Sequence, residues 1–366
     1  MEIDAKPLVT AFYLPQYYPI PENDRFWGKG FTEWTNVTAA KPLFPGHEQP
    51  NLPADLGFYD LRVPETRQQQ ADLAKKFKID AFCYWHYWFG GNKVVLERPL
   101  TEVINSGKPD YPFCLAWANQ SWTGIWHGLE NEIIFEQKYP GFGDYEEHFY
   151  YCLNAFKDKR YLTYQGRPVF VVYAPMQLPD PKVFTDYWNE LARKEGFPGM
   201  YFIGISYHGW KMNDYGFDGK TVHEPSNIIM KYPNELFRIK LRKKIGKIPF
   251  FDSPKIYEYR KVVDSNPYTD YHDKKLFPTI LPNWDNTPRS GKNGVIFRNS
   301  TPELFKKHLR SAFDYLLQND VNPPIVFIKS WNEWAEGNYL EPDRKWGDRY
   351  LRMIKELKEE YKSKFD

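Results

Sequence analysis

Eight short apolar runs punctuate this chain, at residues 8–14, 79–85, 113–117, 168–174, 200–206, 217–222, 277–281 and 324–330. Their apolarity is continuous rather than alternating, which suits strands covered on both faces, as in a parallel sheet. Charged, amphipathic stretches separate them. Residues 64–77 open on a proline and place Leu73, Ala74 and Phe77 at helical spacing. Residues 145–156, 183–194 and 301–317 behave alike, and Thr301-Pro302-Glu303 reads as an N-cap, a first-turn proline and an acidic first turn. Strand and helix alternating in this way predict an α/β fold, a single (β/α)8 TIM barrel with elaborated βα loops. A doubly wound sheet fits less well, because no Gly-x-Gly-x-x-Gly follows the first strand. No Gly- or Ser-rich linker, repeat or low-complexity tract divides the chain. One catalytic domain over 1–366 is therefore expected, with a basic insertion at about 231–273.

In such a barrel the active site gathers at the carboxyl ends of the strands, so the residues just beyond each strand are its candidates. Those beyond the last strand are the most informative. Ile325-Val326-Phe327-Ile328-Lys329-Ser330 runs into Trp331-Asn332-Glu333-Trp334-Ala335-Glu336-Gly337, two glutamates set among indoles. Nearby carboxyls can be driven to different pKa values, so that one donates a proton while the other stays charged. Glycosidic bond cleavage needs that division of labour. A pair merely capping a helix start would not need two flanking tryptophans.

Other strand ends add aromatics beside planar polar groups: Tyr13, Gln16 and Tyr17; Trp85 and His86; Trp117 and Asn119; His208; Asp285; Trp331 and Asn332. Flat apolar faces with hydroxyl-pairing amides suit a sugar ring. Trp34, beside Glu33 after a Gly-Phe-Thr turn, is a candidate lid residue. The composition agrees, with 13 Trp, 27 Tyr and 27 Phe making 18% of the chain.

Charge and cysteine content narrow the classes further. The 49 basic and 47 acidic residues leave a net charge of +2, which argues against a general nucleic-acid binder. No run of 18 apolar residues and no charged-then-apolar leader occur, so no integral membrane segment is expected. The chain as it stands reads as cytoplasmic, or as periplasmic or secreted had a signal peptide been removed. Cys83, Cys114 and Cys152 read as reduced core thiols. Neither a metal nor a cofactor is expected: the histidines are scattered, His-Glu-x-x-His is absent, and no phosphate loop or Gly-x-Ser-x-Gly elbow occurs. Arg238, Lys240, Arg242, Lys243, Lys244 and Lys247 form a basic run that reads as a solvated face, with weak contact to an anionic surface as the sharper alternative.

The stretch Ser330 to Pro342 resembles the Asn-Glu-Trp-x-Glu-Gly signature of family 99 glycoside hydrolases, the endo-α-mannosidases. The wider pattern resembles more closely the WbsX-type proteins, a family 99-like group often labelled glycosyltransferases of surface-polysaccharide loci. Its marks are Ala11-Phe12-Tyr13-Leu14-Pro15-Gln16-Tyr17-Tyr18-Pro19, Gly30-Phe31-Thr32-Glu33-Trp34-Thr35-Asn36-Val37, Tyr84-Trp85-His86-Tyr87-Trp88-Phe89 and Leu115-Ala116-Trp117-Ala118-Asn119-Gln120-Ser121-Trp122. The resemblance implies a (β/α)8 barrel and a retaining, metal-independent mechanism on an oligo- or polysaccharide. In it Glu333 would deprotonate the sugar 2-hydroxyl to give a 1,2-anhydro sugar, and Glu336 would protonate the leaving oxygen. Ala335 stands where the mannosidases carry histidine, a departure from their signature that weakens the case for mannose as the substrate. A glycosyltransferase of O-antigen or capsule assembly is the alternative reading.

Overall fold

The computed structural model describes residues 1–4, 6–123, 133–206, 215–230, 253–265, 268 and 273–365. All eight predicted strands are present: β1 (Leu8–Tyr13), β2 (Ala81–Trp88), β3 (Phe113–Trp117), β4 (Arg167–Val172), β5 (Tyr201–Ser206), β6 (Gly219–Val222), β7 (Leu276–Phe277 with Thr279–Ile280) and β8 (Ile325–Ile328). Each pairs in parallel with its sequence neighbour, and β8 returns to β1 through Leu8–Ile325 to Ala11–Ile328. The ring closes as a TIM barrel.

The seam of the ring is β7. Pro278 has no N–H to give a ladder and splits the strand in two. Leu276–Phe277 pairs with β6, while Thr279–Ile280 pairs with β8. The Pro278 carbonyl still accepts from Phe327 N, at 2.8 Å. Gly219 makes the neighbouring β6 contact possible, since a Cβ there would lie 2.2 Å from the Phe277 ring.

Helices cover the ring. α1 (Pro64–Lys76), α2 (Arg98–Ser106), α3 (Phe142–Phe156) and α4 (Pro181–Lys194) follow β1 to β4. α5 (Tyr259–Asp264) and α6 (Pro302–Gln318) flank β7, and α7 (Arg349–Tyr361) follows β8. α6 buries Leu304, Phe305, Leu309, Ala312, Phe313 and Leu316, a stripe of helical period, and Thr301 Oγ1 caps it by accepting from Leu304 N. The predicted insertion is described only at 253–265, 268 and 273. There Lys255–Glu258 joins Val295–Arg298 and Trp284–Asp285 in a small sheet over its own apolar cluster of Tyr257, Tyr259, Val262, Trp284 and Phe297. The basic run at 238–247 lies outside the described residues. Cys83, Cys114 and Cys152 are buried and unpaired by disulfides. Among the described residues no helix is long and apolar enough to cross a membrane.

Candidate active site

A cavity of about 260 Å³ opens at the carboxyl end of the barrel. Strand ends supply Gln16, Trp85, Tyr87, Tyr173 and Lys329, and the segment beyond β8 supplies Glu333 and Glu336. The segment following β1 adds Asn23, Trp27, Phe31 and Glu33, and Arg289 enters from the short helix Thr287–Ser290 beyond β7.

The glutamates sit on a tight turn. Asn332–Glu333 pairs antiparallel with Asn338–Tyr339, and Trp334–Glu336 forms one 3₁₀ turn between them. Gly337 ends that turn with φ +59°, and a Cβ there would meet Asp285 N at 2.8 Å. Only glycine meets both demands at low cost. Asn332 staples the turn to β1: its Oδ1 accepts from Leu14 N at 2.7 Å and its Nδ2 donates to Leu14 O at 3.0 Å. Tyr17 hydroxyl donates to the Asn332 carbonyl and accepts from Trp334 N.

The two carboxyls meet opposite environments. Glu333 is buried and accepts one hydrogen bond from Trp85 Nε1, at 2.9 Å. Burial first, and the charge of Glu336 second, push its pKa up to about 8. Burial also acts on Glu336, but Lys329, Arg289 and a hydrogen bond from Glu333 outweigh it and hold the group down at about 2. Arg289 Nη1 lies 2.6 Å from Glu336 Oε1, and Lys329 Nζ lies 3.8 Å from Oε2. The second arm of Arg289 reaches Glu33, at 2.8 Å. The surroundings thus favour the protonated form of Glu333 and the charged form of Glu336. The resemblance to family 99 implies a proton on Glu336, whereas both nearby cations lie against Glu336 and favour its charged form.

Only part of the predicted constellation lines the cavity. Gln16, Trp85, Glu333 and Glu336 do. Tyr13 is buried below, donating to Gln70 Oε1 at 2.6 Å, and Trp34 packs on Trp334 while its Nε1 donates to Tyr59 O. Trp117 donates to Trp88 O, and Trp331 is fully buried against Phe82. Asn119 pins the loops after β3 and β4, accepting from Ala174 N at 2.7 Å and donating to Ala174 O at 2.9 Å. These are supports, not cavity walls. Asp285 points to a second cavity, held by His47, Gln49 and Thr287. His208 lies outside the described residues.

His86 faces away from the cavity. Residues 86–88 are not a loop after β2, as expected; they extend the strand. Alternate residues of a strand face opposite sides. Trp85 and Tyr87 face the cavity, whereas His86 and Trp88 pack outward on His148 of α3. His86 Nε2 is 2.8 Å from His148 Nε2 and 3.8 Å from Cys152 Sγ. Burial lowers the pKa of both histidines, that of His86 to about 3, so both are neutral. Arg289, Lys329, Tyr173 and Asn23 line the cavity without having been expected there. Lys329 immediately precedes the motif and was legible; Arg289 reaches the site only through the fold.

A family profile described as "Glycosyltransferase WbsX" matches residues 9–354. The chain belongs to the WbsX family. It is 36% identical over 345 residues to the protein WxcX of Xanthomonas campestris pv. campestris (strain B100), covering 94% of this chain and 48% of that protein. It thus spans about half the length of this relative. The WbsX barrel is similar in structure to the GH99 endo-α-mannosidase from Bacteroides thetaiotaomicron, at 15% identity and TM-score 0.59 over 99% of both chains. A glycoside hydrolase-like protein gives 16% identity and the same TM-score, covering 97% of this chain and 95% of its own. These likenesses concern the fold.

Proposed function

We propose that this protein is an enzyme that breaks glycosidic bonds in a bacterial surface or related polysaccharide, acting as a retaining glycoside hydrolase through Glu333 and Glu336. The observation that carries this reading is two adjacent glutamates in opposite surroundings, Glu333 against Trp85 and Glu336 against Arg289 and Lys329, in a cavity walled by Trp27, Trp85 and Trp122. One carboxyl can protonate the leaving oxygen while the other accepts a proton or attacks carbon. Two role assignments start from this state. With the roles as they rest, Glu333 is the acid and Glu336 the charged partner. With the roles implied by family 99, the proton crosses the hydrogen bond between them before cleavage, leaving Glu333 to take the 2-hydroxyl proton. Arg289 and Lys329 stabilise whichever state leaves the negative charge on Glu336.

The test is product release from bacterial polysaccharides and their oligosaccharides by the wild type, Glu333→Gln and Glu336→Gln. Each variant is expected to lose about 10²–10⁴-fold in turnover. The variant lacking the acid will recover most on aryl glycosides, whose good leaving groups need no proton, and so identifies which glutamate donates. Full activity in both variants would end the proposal. The family description favours a second reading, a glycosyltransferase. Saturable sugar-nucleotide binding and glycosyl transfer, with no release from any polysaccharide, would replace hydrolysis by that reaction.

A further inference from the structure

Asn23 stands apart in the cavity wall. Its side chain is fully buried, and among the described residues lining the cavity it is the one buried amide, with neither Nδ2 nor Oδ1 in a hydrogen bond. Its neighbours are anchored. Glu22 accepts from Lys93 Nζ at 2.7 Å, and Asp24 Oδ1 accepts from Gly30 N at 2.8 Å. The short helix Pro21–Trp27 is thus tied on both sides of a residue that satisfies nothing itself. A buried polar group left unpaired is destabilising, and native proteins rarely keep one without a use.

We propose that Asn23 is a specificity-determining residue that reads a donor and an acceptor side by side on the bound sugar, either an acetamido group or a vicinal pair of hydroxyls. A primary amide offers two N–H donors and a carbonyl acceptor in one plane, which matches both groups. Trp27 and Phe31, on the same wall, supply apolar faces for ring C–H bonds or an acetyl methyl. A site built around a buried polar group rejects ligands lacking its counterpart, because the group then stays unpaired. The proposal rests on the carbohydrate reading of the cavity.

The experiment compares the full chain as wild type, Glu336→Gln and Asn23→Leu, measuring melting temperature and binding of methyl hexosides, methyl N-acetylhexosaminides and their deoxy analogues. Asn23→Leu is expected to melt at or above wild type, since it removes an unpaired amide, and to lose about tenfold or more in affinity for sugars carrying the paired groups. Loss confined to N-acetylhexosaminides assigns the acetamido group, and loss on plain hexosides assigns the diol. Unchanged binding of every probe overturns the role of Asn23 and leaves the carbohydrate reading standing. A markedly lower melting temperature also overturns it, marking a structural amide. No probe binding to wild type or Glu336→Gln removes the carbohydrate reading and this proposal together.

Discussion

The cavity and the layer beneath it each hold a carboxyl, five residues apart in sequence, on opposite terms. Glu336 meets two cations, Arg289 and Lys329, and stays ionised. Glu341 meets only neutral donors: Trp334 Nε1 and Gln70 Nε2, each at 2.7 Å, and Tyr59 hydroxyl at 2.8 Å. Burial drives Glu341 up to about 7 despite those hydrogen bonds. Tyr59 in turn accepts from Asn332 Nδ2, so the layer grips the glutamate turn from below. A carboxyl wrapped by neutral donors and shut from the cavity is built to hold neighbours in place. One set against cations at a cavity wall is built to carry charge. Proximity to the motif does not distinguish them; the partners do.

The largest expected effect comes from Glu333. Its pKa rises on folding, so its contribution to stability is complete below its ordinary value of 4.5 and is lost as pH climbs through about 8. Every tenfold gain in proton affinity on folding is worth about 1.4 kcal/mol. Wild type should therefore lose stability between pH 5 and pH 8 relative to Glu333→Gln, which stays neutral throughout. Glu341 titrates in the same window in both proteins and cancels in the difference. Parallel stability curves from chemical denaturation would show that Glu333 is not the proton holder.

A smaller effect tests the lower layer. Glu341→Gln replaces an acceptor with an amide that brings donors of its own, stranding at least one of Trp334, Gln70 and Tyr59. The expected cost is about 1–3 kcal/mol of stability. Turnover at saturating substrate should fall far less than in either cavity variant. Lost activity with unchanged stability would move Glu341 into the chemistry and erase the distinction between the two layers.

The barrel was legible because strands buried on both faces write themselves as unbroken apolar runs, and all eight did so. The glutamate turn was legible because Glu333 and Glu336 are close in sequence and unusual in company. What failed is information that sequence order does not carry. Asn119 and Asn332 look like sugar-pairing amides, yet both spend their hydrogen bonds on loop backbone. Asp285 lines another cavity, where His47, Gln49 and Thr287, remote or unremarked in sequence, hold its carboxylate. Arg289 reaches Glu33 and Glu336 across 256 and 47 residues of chain, and no spacing rule would join them.

The smallest expected effect belongs to His86, one of the residues the sequence offered as a pocket candidate. Strand alternation turns it away from the cavity, towards His148 and Cys152, where burial keeps it neutral at any working pH. No proton transfer at the cavity can use it. His86→Gln preserves a donor towards His148 and should cost about 1 kcal/mol of stability, the worth of one imperfect hydrogen bond. Turnover and its pH profile should stay near wild type. A large fall in kcat with unchanged stability would mean that the outer face of β2 communicates with Glu333 through Trp85, its neighbour in the strand and the donor to Glu333.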